Sequence, residues 1–163
     1  MVEMSVSGVI LEPKTRSPIV VLKDADERRA LLIWVGEAEA NAILMGLEKI
    51  QPPRPMTHDL LLNAVKLLNG KITGIRVSDM RDSTFFAEID VEVGGEVKVL
   101  DARPSDAIAL AMRVDVPIFV AEPVMATSSV PINPSQEEED AEAFRKFLDE
   151  VKPSDFGKLG GMS

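Results

Sequence analysis

The sequence lacks several residue types on which common functional sites depend. It has no cysteine and no tyrosine, and only one histidine and one tryptophan among 163 residues. Without cysteine there is no disulfide framework, no thiolate zinc site and no thiol nucleophile. A single histidine excludes metal sites built from several histidines. The scarcity of aromatic side chains also argues against an extended platform for stacking nucleic-acid bases.

Positive charge and long apolar runs are scarce as well. The chain has 18 lysines and arginines against 27 acidic residues, a formal net charge of −9. Such a protein repels duplex nucleic acid, because that affinity depends on cationic side chains that displace counterions from phosphates. No apolar stretch approaches the roughly 18 residues of a membrane-spanning helix, and the N-terminus lacks the charge pattern of a secretory signal. We therefore expect a cytoplasmic protein without a membrane partner.

Hydrophobic periodicity predicts strands and helices in an irregular order. Strands are indicated at 2–11, 18–23, 28–35, 71–80, 84–93, 96–102 and 116–122. Helices follow Gly36, the proline-rich stretch 51–55 and Pro104. Because strands and helices do not alternate strictly, this order favours an α+β fold, with a mixed, mainly antiparallel sheet packed with helices in one compact domain. Trp34 ends an apolar strand, which predicts that its indole lies in the core or in an interface.

The domain organisation follows from composition. We assign residues 1–125 to the main domain and 126–135, rich in proline and serine, to an extended surface connection. Ser135 and Glu138 form a capping-box pattern that predicts a C-terminal amphipathic helix at 136–152. Residues 153–163 have the composition of a flexible tail.

Two predicted helix starts share a local pattern. Both "RPMTHD" at 54–59 and "RPSD" at 103–106 place an Arg-Pro pair before a hydroxyl residue and an acid. A helix start offers free amides and partial positive charge, so a neighbouring arginine completes a seat for a phosphate. The same features also serve folding alone, with Thr57 and Ser105 as N-caps. The pattern leaves both interpretations open.

Carboxylates gather at the predicted junctions. Glu37, Glu39, Asp59, Asp101 and Asp106 all lie where a strand or turn meets a helix. If they converge, they are suited to hold hydrated Mg²⁺ or Mn²⁺, with an arginine neutralising charge on a scissile phosphate. The alternative is a set of solvated helix starts. No Walker lysine loop or dinucleotide-binding glycine motif is present, so we expect no nucleotide cofactor.

A resemblance sharpens these possibilities. The stretches "LLIWVGEAEANAI", "RPMTHDLL", "DARPSDAIALAMR" and "PIFVAE", in this order and spacing, closely resemble the bifunctional nuclease family. The family is named for plant relatives described as cutting both DNA and RNA. The resemblance implies a compact α+β domain, a homodimer and metal-assisted phosphodiester hydrolysis.

Carried onto this chain, the resemblance and the patterns together nominate three groups of residues. The catalytic candidates are His58, Asp59, Asp101, Arg103 and Asp106, with His58 as a proton shuttle. The substrate-binding candidates are Arg54, Thr57 and Ser105, and the metal-ligand candidates are Glu37 and Glu39. One hypothesis is a nuclease acting on single-stranded nucleic acid. The alternative is a non-catalytic homodimeric binding or regulatory module, which the acidity and the few aromatics favour.

Overall fold

A single eight-stranded sheet organises the protein. The computed structural model describes residues 1–132 and residue 142, and its strands lie in the order β6-β5-β4-β7-β1-β2-β3-β8. In chain order the elements are β1 (Val2–Leu11), β2 (Pro18–Asp24), β3 (Arg29–Trp34), α1 (Glu37–Leu47), α2 (Thr57–Leu67), β4 (Gly70–Arg81), β5 (Thr84–Val93), β6 (Glu96–Ala102), α3 (Pro104–Val114), β7 (Ile118–Val120), α4 (Glu122–Ser128) and β8 (Val130–Pro131).

The sheet is mainly antiparallel. Neighbouring strands pair antiparallel except for β4 and β7, which run parallel. The β5–β6 hairpin turns at Gly94 and Gly95, with φ angles of +58° and +81°. Two positive φ angles are the requirement of the commonest tight hairpin turn, and glycine meets it without steric cost. The α+β class with a mixed sheet is therefore confirmed.

Helix α3 is the most deeply buried helix of the described chain. Seven of its eleven residues are buried, from Pro104 and Ser105 to the run Ala107–Ala111. It packs against α1, α2, β4 and β5. Burying Ile108 and Leu110 stabilises the fold by about 2 kcal/mol for each side chain. Ala107, Ala109 and Ala111 alternate with them and let the neighbouring elements approach closely, so the polar residues at both ends of α3 are held in fixed places.

Two local predictions are wrong. Residues 126–128, predicted as part of an extended connection, complete helix α4, because Pro123 suits a first helical turn and Val124 and Met125 are buried against the sheet. Trp34 does not lie in the core of this chain: it is 55% exposed, and its indole N–H donates to Glu12. Whether Trp34 lies in an interface stays a prediction.

Two further points concern the predicted C-terminal segments and membrane-spanning helices. The predicted helix at 136–152 and tail at 153–163 lie, apart from residue 142, outside the described residues. Among the residues that are described, no helix is long and apolar enough to cross a membrane.

Candidate functional site

The starts of α1, α2 and α3 are joined by a chain of four polar side chains. Arg103 Nε donates to Asp106 Oδ2 over 2.9 Å, and Arg103 Nη2 donates to Glu39 Oε1 over 3.2 Å. The other oxygen of Asp106 is hydrogen-bonded to His58 Nε2 at 2.9 Å. We call Glu39, Arg103, Asp106 and His58 the helix-start network. Each helix contributes from its first turn or N-cap position.

Local sequence places these side chains. Arg103 occupies the N-cap position of α3, Pro104 follows as the first helical residue, and Asp106 is one turn on, within reach of the guanidinium. On α1, a Cβ at Gly36 would collide with the carboxylate of Glu39. Glycine at this position therefore leaves room for Glu39 to fold back over the helix start, where its negative charge is favourable.

The network has one open end and one closed end. The Arg103 side chain is 65% exposed, whereas His58 is 11% exposed. Hydrogen bonding to Asp106 and the charge of that carboxylate, with a smaller contribution from Glu39, raise the pKa of Arg103 above its ordinary value. Arg103 Nη1 has no partner among the described residues. The guanidinium thus presents a free edge to solvent.

The second ring nitrogen of His58 is also available. No fully buried side-chain nitrogen or oxygen in the described part of the chain lacks a hydrogen-bond partner. His58 Nδ1 has no partner there, so it follows that this atom keeps contact with solvent. The network therefore combines an exposed cation with an imidazole that a carboxylate orients.

A separate ion pair lies one residue along α2. Asp59 accepts hydrogen bonds from Arg113 Nε at 2.8 Å and from the Met56 backbone N–H at 3.0 Å. Burial alone raises the pKa of Asp59, but the hydrogen bonds from Arg113 and Met56, with the Arg113 charge, outweigh it and hold that pKa below its usual range. Arg113 Nη1 also donates to the carbonyls of Ala42 and Ala109. Asp59 and Arg113 thus tie α1, α2 and α3 together.

The predicted N-caps are wrong by one or two positions. Met56 and Arg103, both with extended backbone, occupy the N-cap positions. Thr57 is the exposed first residue of α2, and Ser105 is buried as the second residue of α3. At α2 Asp59, the third helical residue, accepts the N–H of the N-cap residue Met56, which is the part of a capping box that an acid at this position makes.

The other nominated residues stay outside the network. Arg54 lies exposed between α1 and α2, Glu37 is exposed at the start of α1, and Asp101 is exposed on β6. None of the three side chains makes a hydrogen bond or ion pair with any described residue. Of the nominated residues, the fold brings Glu39, His58, Arg103 and Asp106 together and leaves these three apart from them.

The described residues do not offer a ready metal centre. They contain no group of three or more histidine, aspartate or glutamate side chains placed to hold a metal ion. Glu39 is paired with Arg103, and Glu37 brings no third ligand with it. Mg²⁺ and Mn²⁺ prefer several oxygen ligands, so Glu37 and Glu39 as placed do not fit such an ion. Metal assistance stays a prediction.

Sequence reasoning missed Arg113. Its signal was slight: a single arginine at the end of the apolar run "AIALAM". A charged residue there is also what a solvated helix end shows, since cations are favourable near helix C-termini. The Arg113 side chain is only 9% exposed because α1 and α2 pack against α3, and a local sequence pattern does not show that packing.

Comparison with known proteins gives a consistent family assignment. The family model described as "Bifunctional nuclease domain" matches residues 20–133, a range that includes every nominated site residue. A Mycobacterium tuberculosis protein described as uncharacterized is 37% identical over 164 residues, covering 96% of this chain and 98% of that protein.

Plant proteins with a functional name are more distant. "Bifunctional nuclease 1" of Arabidopsis thaliana is 30% identical over 107 residues, covering 63% of this chain and 33% of that protein. "Bifunctional nuclease 1" of Oryza sativa subsp. japonica is 30% identical over 105 residues, covering 62% of this chain and 32% of the rice protein. The similarity thus involves about a third of each plant protein.

The ion pair of Asp59 predicts a pH-dependent loss of stability. We expect Asp59→Asn to lower the free energy of unfolding at pH 7 by about 3 kcal/mol, because Arg113 is left buried without its counter-charge. The folded-state pKa of Asp59 is lowered, so its contribution is present above the unfolded pKa of about 4 and is lost as pH falls through the folded pKa. Urea unfolding at pH 7 and at about pH 2, well below the unfolded pKa of about 4, measures both effects.

Asp115→Asn is the matched control. Asp115 pairs with Lys49 at 2.7 Å, but its side chain is 76% exposed, so the same substitution costs less than about 1 kcal/mol. A loss for Asp59→Asn that is no larger than this, or that does not shrink between pH 7 and about pH 2, would contradict the role assigned to the Asp59–Arg113 pair.

Proposed function

The chain belongs to the bifunctional nuclease family, and on that premise we propose that it hydrolyses phosphodiester bonds in single-stranded nucleic acid at the helix-start network. The observation that carries the proposal is the pairing of an exposed Arg103 with a His58 that Asp106 orients. Family membership supplies the reaction class. The geometry of the helix-start network supports the choice of residues.

Arg103 is suited to receive the phosphate. Its free Nη1 faces solvent beside the start of α3, where backbone amides and the helix dipole favour negative charge. Asp106 and Glu39 hold the rest of the guanidinium in place, so little ordering is needed when the substrate arrives. In the proposed mechanism Arg103 stabilises the charge that grows on the phosphate oxygens in the transition state.

His58 is suited to move the proton. Its Nε2 is bonded to Asp106, which leaves Nδ1 as the ring nitrogen that exchanges a proton with the attacking or leaving oxygen. Asp106 thus has two partners in the proposal, because one oxygen orients the imidazole and the other positions Arg103. Removing that one carboxylate disturbs both roles.

The acidic character of the protein favours a single-stranded substrate. With a net charge of −9, the surface as a whole repels a rigid duplex that must lie along many cationic contacts. A flexible strand can present one phosphate to Arg103 while the rest of its backbone turns away. We therefore expect weak binding with a shallow dependence on salt concentration.

No step of this mechanism passes through a metal ion. Glu39 and Asp106 are bonded to Arg103 and do not form a ligand group with Glu37 or Asp101. A version assisted by Mg²⁺ or Mn²⁺ remains a separate proposal. Assays with EDTA and with each ion added back distinguish the two.

Arginine substitutions provide the sharpest activity test. We expect Arg103→Ala to slow cleavage of a single-stranded oligonucleotide by about 100-fold, because it removes a donor to the transition-state phosphate. Arg81→Ala is the matched control, since Arg81 is also 65% exposed and paired with an aspartate, yet lies at the end of β4. Cleavage rates under single-turnover conditions report the effect.

Two outcomes would reject the catalytic assignment. One is an Arg103→Ala rate within twofold of the unmodified protein; the other is an equal loss in Arg81→Ala. Absence of cleavage by the unmodified protein in the presence and absence of added Mg²⁺ and Mn²⁺ would favour the alternative function, a non-catalytic binding or regulatory module.

The solvent side of α2 supports a homodimer. Leu60, Leu61, Leu67 and Leu68 are 62%, 41%, 82% and 73% exposed. Their seven-residue spacing, Leu60 to Leu67 and Leu61 to Leu68, is the spacing at which two helices pack side by side. An identical helix presents the same spacing, so a second copy is a suitable partner for an isologous contact. We propose that this leucine face is the dimer interface.

A charge placed in the leucine face tests the dimer. We expect Leu67→Glu to convert the protein to a monomer in sedimentation equilibrium, because two buried carboxylates would face each other across the contact. Val97→Glu is the control, since Val97 is 60% exposed on β6 outside this face. A monomeric unmodified protein, or dissociation by Val97→Glu alone, would contradict the proposal.

A further inference from the structure

A second candidate site lies at the opposite end of α3. A cavity of about 360 Å³ opens between the end of α1, the proline-rich stretch 51–55 and α2. Its apolar walls come from Met45, Ile50, Leu62 and three prolines of that stretch. No residue of the helix-start network lines it. The volume falls within the range of small-ligand sites, roughly 300–1,000 Å³.

A buried arginine reaches this cavity with one unused nitrogen. The Arg113 side chain is 9% exposed and lines the cavity. Its Nε bonds Asp59 and its Nη1 bonds two backbone carbonyls, but Nη2 has no partner among the described residues. Because no sealed side-chain nitrogen in that part of the chain lacks a partner, Nη2 keeps some contact with solvent, and the same side chain lines the cavity.

The guanidinium is held rigidly in this position. A Cβ at Gly46 would come within 2.9 Å of Arg113 Nη1 and of Met112 Cβ, so glycine lets the guanidinium lie directly beneath α1. The carbonyls of Ala42 and Ala109 accept from Nη1 at 2.9 and 2.7 Å and fix the plane of the group. A ligand that meets Nη2 therefore finds a donor that is already ordered.

Lys49 adds a second cation at the rim. Its ammonium bonds Asp115 and the Met112 carbonyl, each at 2.7 Å, which leaves one of its three protons free. Asp59 is the one carboxylate among the lining residues, against the two cations Lys49 and Arg113. Asp59 balances the charge of Arg113 and Asp115 balances that of Lys49, so the cavity offers an anion two unused cationic donors and not a net positive charge.

We propose that this cavity binds a small organic anion, with its carboxylate or phosphate on Arg113 Nη2 and Lys49 and its apolar body against the proline wall. The site is distinct from the helix-start network, and the inference does not depend on nuclease activity. Carboxylate and phosphate share the chemistry that a guanidinium recognises. Contact with the apolar wall favours the binding of an organic anion over that of a free inorganic one.

Three probes distinguish the parts of the proposal. Benzoate and phenyl phosphate carry the same apolar ring on the two anionic groups, and inorganic phosphate has no ring. We expect at least one aromatic probe to bind the full-length protein about tenfold more tightly than inorganic phosphate in isothermal titration calorimetry, a difference of about 1.4 kcal/mol. Backbone amide shifts in NMR should then concentrate in residues 45–63.

Variants locate the binding. Asn63→Phe places a ring in the cavity from the exposed face of α2 without touching any bond of Arg113, and we expect it to abolish binding. Lys49→Met should weaken binding about fivefold, whereas Lys66→Met, which removes an exposed lysine of α2 outside the cavity, should change it less than twofold.

Four results would overturn the inference. The first is that neither aromatic probe shows saturable binding, and the second is that phenyl phosphate and inorganic phosphate bind equally well while benzoate does not bind. The third is that Asn63→Phe binds the probes as well as the unmodified protein does. The fourth is that Arg103→Ala loses binding while Lys49→Met retains it. The last result would assign the anion to the helix-start network instead.

Discussion

The burial of helix α3 is the constraint on which both sites depend. Its apolar middle packs against four elements, α1, α2, β4 and β5, so the charged residues at its two ends cannot move independently. The first turn of α2 contacts both ends through adjacent residues: His58 is bonded to Asp106 near the start, and Asp59 is bonded to Arg113 near the end. The packing that stabilises the domain therefore also sets the distances in the network.

The two arginines of α3 illustrate how position decides the role of the same side chain. Arg103 shares two carboxylates and remains largely in solvent, so it has both a fixed orientation and access to a ligand. Arg113 is enclosed, and most of its donors satisfy protein acceptors. An exposed pair contributes little to stability, whereas breaking an enclosed pair is costly. Substituting Arg103 is therefore expected to cost less stability than substituting Asp59 or Arg113.

Local patterns predicted much of the fold and part of the site. Strand bounds at 2–11, 84–93 and 96–102 and the Gly94-Gly95 turn follow from alternation and turn chemistry, which act over a few residues. The Arg-Pro helix starts likewise marked Arg103 and Asp106. Local patterns do not show which distant side chains meet, so Asp101, Arg54 and Glu37 were grouped with residues that the fold keeps apart from them. Arg113 was missed because its burial depends on how α1 and α2 pack against α3.

We propose that the helix-start network, where three helix starts meet, receives a phosphate of the substrate. The most direct measurement is an NMR titration of the ¹⁵N-labelled protein with a short, hydrolysis-resistant single-stranded oligonucleotide. We expect saturable amide shifts that are largest at residues 36–39, 57–58 and 103–107, where the helix-start network lies. Shifts confined to other surfaces, or no saturable shift at all, would contradict it.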